Sequence, residues 1–66
     1  MINQIKISKL LYHDAHMYRM LALHNINTVG DAIKYSKKEL LALTGIGEKT
    51  VYYLVEALEV NNIYLT

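Results

Sequence analysis

A chain of 66 residues, 53% of them hydrophobic, with seven Lys or Arg, six Asp or Glu and a net charge of +1, can build one small core and no more. Cysteine is absent, which excludes a disulfide framework and a cysteine zinc site. Near-neutral charge also excludes a broad electrostatic grip on nucleic acid, so any such contact must be local, made by a few placed groups, and weak.

A core of this size gives marginal stability and leaves little room for a catalytic cleft. No Ser/His/Asp set and no paired carboxylates stand out, so a non-enzymatic protein with no catalytic residues and no cofactor is expected. No apolar run is long enough to span a membrane, and no signal-peptide pattern opens the chain. A cytoplasmic protein with no membrane partner is expected.

The hydrophobic pattern is helical throughout, and proline is absent. Met1 to Ser8 alternates loosely through Ile2, Ile5 and Ile7 and reads as an extended or short helical leader. Residues 1–66 are expected to form a single domain, with 1–13 as the leader and 14–66 as the bundle. Asp14 is a good N-cap for a helix to about His24, with Met17, Met20, Leu21 and Tyr18 at helical spacing. Asn25 suits a left-handed terminator. Thr28-x-x-Asp31 resembles a capping box opening a short helix to Tyr35, and Ser36-x-x-Glu39 is a full box opening a helix with Leu40, Leu41 and Leu43. Val51, Leu54, Val55 and Leu58 sit at i, i+3, i+4 and i+7, the inward stripe of a last helix ending near Asn61-Asn62. Ile63 and Leu65 then fold back on the core. The expected architecture is all-α, a compact bundle of four to five short helices.

The segment Leu43-Thr44-Gly45-Ile46-Gly47-Glu48-Lys49-Thr50-Val51 says most about function. It ends one amphipathic helix and opens the next. Gly45 and Gly47 can take positive φ and let a foreign backbone come close. The helix start after them offers free N–H groups and a dipole that favour an anion. Lys49 adds a mobile positive charge and Thr50 a hydroxyl. This is the layout of a helix-hairpin-helix, which holds nucleic-acid phosphates without reading bases. The same Gly-x-Gly is also a plain tight turn in which one glycine ends the first helix.

Taken together, Leu21, Ile26-Asn27-Thr28-Val29, Gly30-Asp31, Leu40-Leu41, Gly45-Ile46-Gly47-Glu48-Lys49-Thr50 and Leu58 resemble the C-terminal domain of the bacterial RNA polymerase alpha subunit. The resemblance covers about Asp14 to Leu65. It implies a compact helical bundle that binds the minor groove of A/T-rich promoter DNA and is docked by transcription activators. It places the DNA contacts on Gly47, Lys49 and Thr50, the last replacing the family's serine. The family's asparagine before the turn's apolar residue is Gly45 here. Its groove-entering arginine falls on His16, and the asparagine one turn later falls on Arg19. His16 and Arg19 share a helix face, so Arg19 can partly restore the missing charge. The family's acidic segment ahead of the first helix is Leu10, Leu11 and Tyr12 here. The polymerase subunit's assembly domain and linker are missing, and a stand-alone relative beginning at Met1 is expected.

His13, His16 and His24 read as surface or capping histidines, since no third metal ligand has a clear place. Tyr18 reads as core, and Tyr12, Tyr35, Tyr52, Tyr53 and Tyr64 as mostly half-buried edges with wet hydroxyls, although stacking on bases is a second use of such rings. Lys37-Lys38 reads as a solvated first turn that can also steer DNA. Leu10, Leu11, Tyr12, Met17, Met20, Leu21 and Leu23 exceed what one side of a helix buries in so small a bundle, unless the leader covers them. The expected partners are therefore A/T-rich duplex DNA, bound weakly, and RNA polymerase or a transcription factor, with weak self-association through the first helix. A protein-interaction module of the same fold, with little DNA affinity, is the alternative.

Overall fold

The computed structural model describes residues 2–66. A 3-10 turn at Ile2–Gln4 leads into α1 (Ile7–Leu10), α2 (Ala15–Ala22), α3 (Val29–Ala32), α4 (Lys37–Leu41) and α5 (Glu48–Val60). No strand forms among the described residues, apart from a single antiparallel bridge between Lys6 and Thr28. The fold is all-α, as the hydrophobic periodicity requires.

Local chemistry sets the helix ends. Asp14 Oδ1 accepts from the backbone N–H of Met17 at 3.3 Å and starts α2. Thr28 Oγ1 accepts from Asp31 N at 3.2 Å, while Asp31 Oδ2 takes the N–H groups of Asn27 and Thr28 at 3.0 and 3.1 Å. Those two donors, Asn27 first, hold the Asp31 carboxyl below its ordinary pKa. Ser36 and Glu39 exchange the same reciprocal bonds at 3.1 and 2.8 Å and start α4. Asn25 and Asn62, both at φ 62°, turn the chain after α2 and α5. The helix expected to reach Tyr35 stops at Ala32 and continues only as a turn, in which Tyr35 N donates to Ala32 O.

The amino-terminal segment is stitched to the rest through backbone bonds. Ile7 N donates to Asn27 O and Val29 N to Ile5 O, both at 2.9 Å. Ile7 and Leu11 are consequently buried with Leu21, Ala32, Leu40, Leu54 and Leu58 in one core. Each such Leu or Ile contributes about 1.5–3 kcal/mol by leaving water. The chain end closes the bundle: Leu65 is buried, Ile63 packs against the core, and Lys37 N donates to Thr66 O at 3.0 Å. The apolar excess around α2 is covered only in part. Leu11, Met17 and Leu21 are buried, whereas Tyr12 and Leu23 stay 78% and 74% exposed.

Candidate nucleic-acid interface

The connection between α4 and α5 runs from Ala42 to Gly47. Its two glycines do different jobs. Gly45 sits at φ +83°, the left-handed region that L side chains avoid, and a Cβ there would overlap the terminal methyl of Met20 on α2. Gly47 is extended, with φ −99° and ψ 176°, and a Cβ there would meet nothing within 4 Å. Between them Ile46 is buried and pins the turn to the core, with its N–H donating to Leu43 O at 3.1 Å. The fold therefore requires glycine at Gly45 and leaves Gly47 open to the outside.

Gly47 is the N-cap of α5, and the first backbone bond of that helix runs from Val51 N to Gly47 O at 3.2 Å. No side chain caps it, in contrast to the Asp14, Thr28 and Ser36 caps of α2, α3 and α4. The first N–H groups of the longest helix thus lack a side-chain partner, on residues that are exposed from Gly47 to Lys49, with the positive end of its dipole behind them. Lys49 is exposed beside them. Thr50 is 8% exposed, so most of its side chain lies inside the bundle. Glu48 is also exposed at the first turn and places a negative charge next to Lys49.

A second element meets this turn. His24, just past α2, donates from Nε2 to Thr44 O at 2.7 Å. That bond assigns the proton to Nε2, since a carbonyl can only accept. Met20 lies against Gly45. His16 is one helical turn before Met20 on the same face, and Arg19 lies next to it around the helix. Both are exposed. Of the six candidate residues, Gly45, Gly47, Lys49 and Thr50 come together at the α5 start, while His16 and Arg19 occupy the exposed side of the helix packed beside it. Met20 and His24, which fix α2 against the turn, carry no sequence signal for that role: their partners lie about 20 or more residues away in the chain. Among the described residues, no group of three or more His, Asp or Glu could hold a metal ion, and no helix is long and apolar enough to cross a membrane.

No protein-family model matches the chain, and no solved structure does. Over 57 residues it is 35% identical to the DNA-directed RNA polymerase subunit alpha of Chaetosphaeridium globosum, an alignment that takes in 86% of this chain. The chain spans 17% of that protein's length. By sequence, then, this all-α chain is related to one segment of an RNA polymerase alpha subunit.

Proposed function

We propose that this chain is a non-enzymatic DNA-binding module acting in transcription, which holds duplex backbone phosphates at a helix-hairpin-helix formed by α4, the Gly45–Gly47 turn and α5. The observation that carries the reading is the start of α5. A 13-residue helix without a side-chain cap begins at a glycine with open space around it. A phosphate there would accept from the N–H groups of Gly47 to Thr50 and pair with Lys49. The edge of Thr50 would add its hydroxyl. His16 and Arg19 would face the minor groove, where narrow A-tracts attract cations. Gly45 sets the turn and keeps Met20 close, so that α2 and the α5 start would meet the duplex as one surface. Similarity to a polymerase alpha subunit supports the transcription role and a polymerase or transcription-factor partner.

Affinity should be low, because Glu48 flanks the phosphate position and the whole chain carries only +1. Two or three phosphate contacts give a log–log salt slope of about −2 to −3. Fluorescence anisotropy with an A-tract duplex and a G/C duplex at two salt concentrations tests this. Lys49→Glu should flatten the salt slope by about one unit and weaken both duplexes alike, since phosphate contacts position the protein and do not specify bases. Its fold should be unchanged by circular dichroism. A parent protein without salt-dependent binding at low salt would remove the proposal. Exposed Tyr12 and Leu23 then favour the second reading, an interaction module of the same fold. Sedimentation over a concentration range would show its self-association.

A further inference from the structure

Between α4 and α5 lies an apolar groove, about 480 Å³ in volume. Its floor is Val51 and Val55, and its walls are Leu41 from α4 and Tyr52 from α5. Leu41 and Tyr52 are 44% and 62% exposed. The volume falls within the range of ordinary ligand clefts and suits two or three side chains entering from one side.

The groove's charge is opposite to that of the chain. Glu48, Glu56 and Glu59 line it, against Lys37 alone, so three negative charges and one positive leave about −2 on a protein whose total is +1. Glu48, Tyr52, Glu56 and Glu59 recur at i, i+4, i+8 and i+11 and so form one continuous face of α5. Glu56, one turn along α5 from Tyr52, pushes the Tyr52 phenol pKa up. Ring and negative charge therefore lie one turn apart on the groove wall. Such a wall suits a guanidinium or ammonium group, which can meet a carboxylate and the face of an aromatic ring together. An acidic rim of this kind repels nucleic-acid phosphates.

We propose that the α4–α5 groove docks a short basic amphipathic segment of a partner protein, its apolar side chains on Val51, Val55 and Leu41 and its Arg or Lys side chains against Glu56, Glu59 and the Tyr52 ring. The mode is that of an amphipathic helix laid in a groove, with specificity set by charge complementarity at the rim. Lys49 lies about 100° around α5 from Glu48, outside the groove. The groove and the phosphate position meet at Glu48, but Tyr52, Glu56 and Glu59 lie one to three turns further along α5, so docking does not require the Lys49 charge.

The test uses the full chain, isotope-labelled, and two synthetic amphipathic helical peptides of identical apolar sequence. One carries Arg at its polar flanks and the other Glu. The Arg peptide should shift the amide signals of Leu41, Tyr52 and Glu56, and its affinity should fall several-fold between about 50 and about 200 mM salt. The double variant Glu56→Lys/Glu59→Lys changes two exposed residues, should keep its helicity, and should bind the Arg peptide about fivefold or more weakly. Lys49→Glu should bind it like the parent, which separates this site from the DNA reading. Equal binding of the Glu peptide would overturn the proposal, as would shifts outside the groove. Shifts of these residues by an oligothymidylate in place of the peptide would assign the groove to single-stranded nucleic acid. Concentration-dependent shifts of the same residues without any peptide would assign it to a second copy of the chain.

Discussion

Gly47→Asp should make the protein more stable and less able to bind DNA. At φ −99° and ψ 176° the residue already has N-cap geometry, and a new side chain has nothing to clash with. An Asp carboxylate would accept from an N–H in the first turn of α5, worth a few tenths of a kcal/mol over Gly. Its charge at the positive end of the dipole adds about 0.3–1 kcal/mol, reduced by the neighbouring Glu48. Removing a glycine also narrows the unfolded ensemble, by about 0.4–1 kcal/mol if the Gly→Ala value holds. A net gain of about 1 kcal/mol raises Tm by about 4–8 °C in a domain of this size. The same carboxylate fills the place proposed for a phosphate. A hydrogen bond to a charged group is worth about 1.5–3 kcal/mol, so DNA affinity should drop about 10–100-fold. Thermal melts by circular dichroism and anisotropy titrations measure the two effects on one sample. Gly45→Ala is the counterpart: it forces a Cβ into positive φ and against Met20, and should cost about 1–2 kcal/mol. A Gly47→Asp protein that melts higher yet binds DNA like the parent would refute the placement of phosphate at the α5 start. One that melts lower would refute the cap geometry.

Ile7→Ala should cost about 2–4 kcal/mol in urea unfolding, because Ile7 is buried against the core and not part of a loose leader. Asp31→Asn should lower stability at pH 7. Since folding depresses the Asp31 pKa, the carboxylate's contribution is present above its ordinary value and lost as pH falls below about 4, so the gap between parent and variant in urea melts should narrow progressively below that pH. His16→Arg should raise affinity for an A-tract duplex more than for a G/C duplex in paired anisotropy titrations, because a narrow minor groove favours Arg. Arg19→Ala should do the reverse, weakening the A/T-rich complex more.

What the sequence revealed and what it hid divide along contact range. The Asp14 cap, the two capping boxes and the left-handed Asn25 join residues within three or four positions, so their chemistry is written in adjacent letters. The α5 stripe is equally local: Val51, Leu54 and Leu58 are buried as their spacing requires, with Val55 at the edge. The pairing of Ile7 with Asn27 and of Val29 with Ile5 is not local, and no pattern announces it. The same holds for His24 on Thr44 O, which turned a surface histidine into the tie between α2 and the turn. At the candidate site, spacing placed Gly45, Gly47, Lys49 and Thr50 together, but it left open which glycine takes positive φ and how far Thr50 is buried. Both follow from Ile46 and Met20 packing around the turn. Tyr12, Tyr52 and Tyr64 are more exposed than half-buried edges. Tyr12 stacks edge-on with His13, and Tyr52 with Tyr53, at 5.7 and 5.5 Å, so these rings find partners without entering the core.

The central claim is that a duplex phosphate sits on the free N–H groups that open α5. Amide chemical shifts recorded while an A-tract duplex is added at low salt test it residue by residue. The account predicts that Gly47, Glu48, Lys49 and Thr50 move first and furthest, with His16 and Arg19 following and Leu41, Glu56 and Glu59 still. Shifts confined to other surfaces, or none at all at low salt, would contradict it.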